Sequence, residues 1–441
     1  MMEKLKNALF KPANASALGL FRVLFGIFML IEMFSYLSKN LPKLFYGSAK
    51  VFFPYNFSSF LPDFSPDFVL LIIYLNIAAC IAIIIGKFYK VALSVFLIGF
   101  SLIFFSDKSL YNNHIYLFVL LSFLLLMVQS DKWATIKNKF KSATIPNWNY
   151  LILKLQIVIV YFFGGISKLT EQWLNGNVAR ATFEDSTLAF LNKLATNEAA
   201  INFLVYGGLF YDLLIGVLLL FKKTRLIALP FILLFNISNA IMFNDIGIFP
   251  YFMLASLILF FDADLPQKLY DKYIKKAKKV KTKIIHYGDA NQKLMLYFFI
   301  AYLLVQAILP LRHFIYQGDA DWNYKGHYFS WRMKVQTRDL DGIKFATINK
   351  KNQQRAEIKM QEHINFTQFK LLGFDPEASV RFANYLEKIY RKKYRQQVSV
   401  NALIKVELNG SGEFVEMINP QFDLTKANKK NMDEWLNPRP N

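Results

Sequence analysis

Residues 161–176 read YFFGGISKLTEQWLNG. An apolar run from Leu151 leads into them, so the stretch reads as the end of a membrane helix that carries an ammonium group, Lys168. Two readings of that lysine stand side by side. It can snorkel, burying its stem and placing its amine among lipid headgroups. Or it can sit in an apolar pocket, where lost hydration disfavours the charged form and a neutral amine can serve as a base. Gly164 and Gly165, one turn earlier, would let a second helix or a flat ligand approach closely.

Outward from this point, apolar runs recur at 18–37, 67–86, 91–106, 112–130, 150–169, 201–221, 225–243, 247–261 and 294–311. A crossing helix needs roughly 20 residues, so about nine spans are expected, with 91–106 and 247–261 short. The composition agrees: 441 residues, 54% hydrophobic, with 45 Phe and 23 Tyr. A mean hydropathy of +0.27 suits a polytopic bundle joined to a sizeable polar part. The lone cysteine, Cys80, excludes an intramolecular disulfide. The N-terminus has the basic-then-apolar outline of a signal peptide. However, Arg22 interrupts the apolar core and no small-residue cleavage site follows, so it reads as an uncleaved first span.

The formal charge of +21 is spread between the apolar runs. No recognition module of interleaved basic and aromatic residues is visible, so nucleic acid is not an expected partner. Alternate loops are rich in lysine: one set holds Lys4, Lys6, Lys87, Lys90, Lys132, Lys222, Lys223 and the block DKYIKKAKKVKTK at 271–283. The other set is poorer by roughly threefold, which places the N-terminus in the cytoplasm and everything after residue 312 on the far side. The lysine block reads as a solvated cytoplasmic face with some attraction to anionic lipid.

From residue 313 the pattern changes. YFSWRMKVQ (328–336), GIKFATI (342–348) and VSVNALIKVEL (398–408) alternate like half-buried strands, and LNGSGEF (408–414) reads as a turn between two of them. Residues 374–395 read as an amphipathic helix with Pro376 near its start. The fold class is therefore a mostly α polytopic membrane bundle, 1–312, followed by a mostly β extramembrane domain with one amphipathic helix, 313–441.

Polar groups inside apolar runs need partners. They are Arg22, Glu32, Asn76, Asn112, Asn113, His114, Lys168, Asp212, Asn236, Asn239 and Asp245. Asp212 is expected to pair with Arg22 or an Asn, both ends being structural polar groups, with a proton-handling role as the alternative. His114 is either an interfacial structural histidine or a partner of a catalytic amine. His313 sits where the last span leaves the membrane, and His286, His327 and His363 read as surface histidines. HExxH, CxxC, a phosphate-cradling glycine loop and GxSxG are all missing, and no spacing suits a metal, so no metal cofactor is expected.

Six stretches, in order, resemble the vitamin K-dependent gamma-carboxylase family, whose membrane part also occurs in bacteria. They are ALGLFRVLFGIFMLIE (17–32), YNNHIYLFVLLSFLL (111–125), YFFGGISKLTEQWLNG (161–176), FNISNAIMFNDIGIFPYFMLAS (235–256), LPLRHFIYQGDADWNYKGHYFSWRMKV (309–335), and LNGSGEF followed by NPQFDL (419–424). The resemblance implies an enzyme of the carbon–carbon lyase class that couples epoxidation of a reduced naphthoquinone by dioxygen to addition of carbon dioxide at a glutamate γ-carbon. The co-substrates would be reduced vitamin K or menaquinol, O2 and CO2; the partners, the bilayer and a glutamate-containing protein or peptide; the location, a bacterial inner membrane. It implies Lys168 as the base that deprotonates the quinol and His114 as its assistant, with Asn112, Asn113 and Asn239 near the quinol. Arg312, His313, Trp322 and Trp331 are expected on the floor between bundle and β domain.

The chain departs from the animal pattern at Ser167-Lys168, where those enzymes have Lys-Lys, and it lacks their cysteine bridge. Its run from Asn239 to Tyr251 is one residue longer, and its tail is shorter. These departures bear on the peptide substrate more than on the quinol chemistry. Two other readings stand beside the carboxylase: a quinol epoxidase or oxidase acting on a different carbon acid, and a non-catalytic membrane scaffold or transporter with a structural Lys168.

Overall fold

The computed structural model describes residues 2–184, 189–243, 246–274 and 289–440. The chain runs through α1 (Met2–Phe10), β1 (Pro12–Asn14), α2 (Ser16–Ser38), α3 (Pro66–Ile85), α4 (Tyr89–Ser106) and α5 (Asn113–Met127). Then follow β2 (Thr144–Pro146), α6 (Trp148–Ile166), α7 (Glu171–Leu174), α8 (Asn177–Glu184), α9 (Ala189–Asn192), α10 (Glu198–Leu220), α11 (Lys222–Met242) and α12 (Phe249–Ser256). After α13 (Leu265–Tyr273) and α14 (Asp289–Leu311) come β3 (Arg338–Asn349), β4 (Arg355–Glu357), α15 (Phe366–Phe374), α16 (Pro376–Tyr394), β5 (Val398–Leu408) and β6 (Val415–Glu416).

All the expected apolar runs are helical. Among the described residues seven helices reach membrane length: α2, α3, α4, α6, α10, α11 and α14; α5 and the segment Phe249–Leu259 are shorter. The shortfall differs from the expected one, since residues 91–106 belong to an 18-residue helix whereas α5 has only 15 residues. Its start is set by Asn112, whose backbone is extended and whose side chain accepts from the His114 N–H.

The residues dictate these helices and the faces they bury. α3 opens on Pro66 under a Ser65 cap and closes on Gly86, whose φ of +72° suits glycine. Its buried side chains (Val69, Ile72, Ile73, Asn76, Ala79, Cys80 and Ile83) recur every three to four residues and face α2 and α4, while Phe68, Leu71, Tyr74 and Leu75 point outward. A two-strand ladder, Pro12 to Asn14 against Thr144 to Pro146, ties the N-terminus to the start of α6 and was not expected.

Arg22 does not meet Asp212. Its guanidinium is fully buried and donates to the carbonyls of Ile83 at 2.5 Å, Ala134 at 2.5 Å and Trp133 at 3.3 Å. The last carbonyls of a helix lack intrahelical donors, and the end of α3 is such a place.

The tail forms an antiparallel sheet in the order β4-β3-β5-β6, with β3 and β5 paired along their length. The expected helix is α16; α15 stands beside it as a second one. Residues 328–336 are not a strand but a chain of turns. The tail is bolted to the bundle. Gln368 donates to the Val51 carbonyl and to Asp107, Arg381 donates to the Phe52 carbonyl, and Lys108 pairs with Asp375 at 3.0 Å. His363, expected at the surface, is buried at this junction. Its carbonyl accepts from Lys50 N–H and its ring lies 3.3 Å from the Tyr385 hydroxyl. The expected lysine block from residue 275 onward, Asp245 and His286 lie outside the described residues.

Candidate active site

Helices α6 and α10 touch backbone to backbone. A Cβ on Gly165 would stand 2.8 Å from the Leu213 nitrogen, and one on Gly216 would stand 3.0 Å from the Val158 Cα. This close approach brings the residue just past the end of α6 beside the middle of α10. Lys168 Nζ lies 2.5 Å from Asp212 Oδ2, with both residues buried at 6% and 4% exposure. The Gly164 carbonyl is 3.5 Å from the amine, and the Trp173 ring centroid is 5.1 Å from it. Trp173 is itself fixed by donation to the Val205 carbonyl. The lysine therefore does not snorkel. It sits in an apolar pocket, as one reading required, but with a carboxylate partner.

Lys168 lines a cavity of about 310 Å³ at one end of the bundle. Asn112, Asn113, His114, Asp212 and Asn239 line it too, so these expected site residues are brought together. His114 is buried and stacks on Phe249, with centroids 5.7 Å apart. Asn113 is largely committed to the protein: its amide donates to the Arg332 carbonyl and its oxygen accepts from Tyr111. Apolar walls come from Val160, Phe235, Met242, Phe243 and Met253.

Other expected residues stand apart. Arg22 lies at the α3 end described above. Trp322 packs in the tail core and donates to the Asn437 carbonyl. Trp331 is fully buried against Tyr116 and does not line the cavity. Arg312 donates to the Leu309 and Tyr328 carbonyls. His313 Nδ1 bonds the Pro310 carbonyl at 2.7 Å, and its Nε2 lies 3.4 Å from Arg332 Nη1, so both sit behind the cavity wall.

The other wall is a roof supplied by the tail. Tyr324, His327, Arg332, Met333 and Lys334 line the cavity. Tyr324, Phe329, Trp331 and Lys334 all have φ between 50° and 62°, a conformation that costs bulky residues free energy. Gly326, at φ +74°, seats the loop directly on His313, where a Cβ would come within 2.7 Å of its Cα. Arg332 grips Asp321 with two hydrogen bonds, Nε to Oδ1 at 3.1 Å and Nη2 to Oδ2 at 2.6 Å. The Phe329 N–H donates to the Tyr111 hydroxyl at 2.7 Å, a further tie to the bundle. His327, read from the sequence as a surface residue, is buried and stacked on Tyr324. Burial, with Arg332 and Arg338 nearby, holds it well below the ordinary histidine range. Arg332, Asp321 and His327 were missed; their only sequence signal is polar groups crowded among the aromatics of 321–332. Among the described residues no group of three His, Cys, Asp or Glu is placed to hold a metal ion.

A bundle of membrane-length helices with a buried lysine–carboxylate pair, roofed by an antiparallel-sheet domain, defines an integral-membrane protein with a lumenal-type C-terminal domain. Residues 10–265 match the HTTM domain, and residues 291–441 match the vitamin K-dependent gamma-carboxylase lumenal domain. The chain belongs to the vitamin K-dependent gamma-carboxylase family, which holds carboxylase enzymes. No solved structure matches the chain.

Proposed function

We propose that the chain is a naphthoquinol-dependent glutamyl carboxylase in which Lys168 is the base. The observation that carries this reading is the convergence of Lys168, Asp212, His114 and Asn239 on one largely apolar cavity at the end of the bundle. The cavity fits a flat bicyclic quinol: its walls are apolar and aromatic, and its amide and amine groups offer partners for two ring oxygens. The family implies vitamin K as co-substrate, and menaquinol would serve in a bacterial inner membrane. When bound, the quinol supplies the electrons that activate dioxygen.

The rest is done by this chain's own groups. The proton of the Lys168–Asp212 pair can lie on either partner. With the proton on the carboxyl group, the pair presents a neutral amine to the cavity without releasing charge. That amine takes the proton of a hydroxyl group; the anion left on the ring balances the ammonium that forms, and the Asp212 carboxyl group, keeping its proton, accepts a hydrogen bond from it through its carbonyl oxygen. His114 and Asn239 orient the hydroxyl-bearing ring. Trp173 and the roof exclude water, which would quench a strong base. In this proposal residues 1–312 are the membrane domain and 313–441 the extramembrane one, with the N-terminus cytoplasmic and the roof on the far side, where a glutamyl peptide can reach it.

The test is epoxide and fixed carbon counted together. Purified protein receives reduced menaquinone, oxygen, labelled bicarbonate and a glutamyl peptide, beside Lys168→Ala. Both products, lost together in the variant, are expected. Epoxide without label would point to another carbon acid, and neither product from a folded sample would leave the scaffold reading. Lys168→Arg adds a discriminator: a scaffold tolerates a permanent cation, whereas a guanidinium cannot act as the base.

A further inference from the structure

The other end of the bundle holds a cation with no role so far. Lys154 lies six residues into α6, about 9 Å along the helix from Trp148. It precedes Lys168 by 14 residues, so roughly 20 Å of helix separates it from the cavity. Lys154 is half-buried, and among the described residues its amine has neither a hydrogen bond nor an ion pair. Its neighbours are the Tyr150 and Phe260 rings, with centroids 5.6 and 6.0 Å away. The charged group that acts on it is a second cation, Arg225. Arg225 donates Nε to the Leu219 carbonyl at 3.2 Å, and its two Nη groups have no protein acceptor among the described residues. Asp262 acts on Arg225, but it already faces Lys222 at 3.5 Å. Three cations thus meet one carboxylate, and residues 275–288, further along the sequence, add lysines and no acid.

An ionisable side chain inside a membrane span is costly unless a partner meets it. A lysine stem can lie along apolar surface and present its amine at the headgroup layer, where phosphate is the ordinary anion. We propose that Lys154, Arg225 and Lys222 form a site for the phosphate of an anionic phospholipid, at the end of the bundle opposite the cavity. Free phosphate carries the same chemistry, but the surroundings favour the lipid. Phe221, Leu226 and Ile227, beside Arg225 in the chain, are all well exposed, an apolar surface that acyl chains would cover. α11 is also the least buried of the seven membrane-length helices. A phosphate held there bridges α6 to α11, which otherwise packs against α10 and α12. The site does not depend on what the cavity binds.

Native mass spectrometry of the full chain, in neutral detergent with phosphatidylglycerol and phosphatidylcholine titrated together, counts the lipid retained. The wild type is expected to retain its first phosphatidylglycerol at a concentration about tenfold below that for phosphatidylcholine. Lys154→Met combined with Arg225→Gln is expected to abolish that preference, and Lys154→Arg, which keeps a cation, to preserve it. Lys87→Gln removes an exposed lysine at the same end of the bundle but outside the site, and is expected to change nothing. Millimolar inorganic phosphate is expected not to displace the lipid. Equal retention of the two lipids, a preference untouched by the double variant, an equal loss in Lys87→Gln, or displacement by phosphate would each overturn the site. Should the double variant fail to fold, Lys154→Met alone, expected to cost about threefold of the preference, decides in its place.

Discussion

Arg22 and Lys168 are both buried cations of the bundle, and they are satisfied in opposite ways. Arg22 directs its guanidinium to four backbone carbonyls that a helix end and a turn leave over. Planar and permanently charged, it staples α2 to α3 and to the turn at 133–134. Lys168 meets a single carboxylate, one that can itself accept a proton, and faces a cavity. A cation held by carbonyls has nowhere to send its proton. One held by a carboxylate does, and that difference separates a structural group from a candidate base.

Four measurements would break or sharpen this contrast. The largest effect belongs to Lys168→Ala, which should lower quinol-dependent turnover on the order of 10³-fold while the protein melts within a few degrees of wild type. If the melting temperature collapses with activity, Lys168 is structural like Arg22. Arg22→Met should do the opposite: a loss of about 3 kcal/mol in unfolding experiments, because its carbonyls lose their donors, with turnover per folded molecule unchanged. Asp212→Asn keeps the shape but removes the proton acceptor. Turnover should fall roughly tenfold, and its pH profile should move, which a packing defect would not cause. The smallest effect concerns a third kind of buried group, His363. Burial first, and Lys50 second, hold its folded form below the ordinary histidine range. The unfolded chain therefore binds the extra proton as pH falls below about 6.5, and stability drops by at most about 1.4 kcal/mol per pH unit. Stability curves of His363→Gln should lack that slope.

Much of this was legible from hydropathy. The runs that became α2, α3, α4, α6, α10, α11 and α14 are long and apolar enough to announce themselves, and Asn112 marks the α5 start through its capping chemistry. The pairing of Asp212 was not legible. It lies 44 residues from Lys168, and only the α6–α10 contact at Gly165 decides that it meets the lysine rather than Arg22. Residues 328–336 misled for a physical reason. Tyr328, Phe329 and Trp331 all join the bundle core rather than alternating between two faces, and left-handed backbone at Phe329, Trp331 and Lys334 breaks any ladder. His327 and Arg332 went unseen because their burial depends on the tail docking on the bundle. That contact joins residues more than 200 positions apart, such as Asn113 and Arg332.

The docking has a consequence for how such a protein can change. Floor and ceiling of the cavity come from separate stretches of chain: Lys168, Asp212 and His114 from the bundle, His327 and Arg332 from a loop of the tail. In the proposed carboxylase, substitutions at 324–334 would therefore change what the roof presents to a second substrate while the Lys168–Asp212 pair stays untouched. Inheritance could swap the acceptor and conserve the engine.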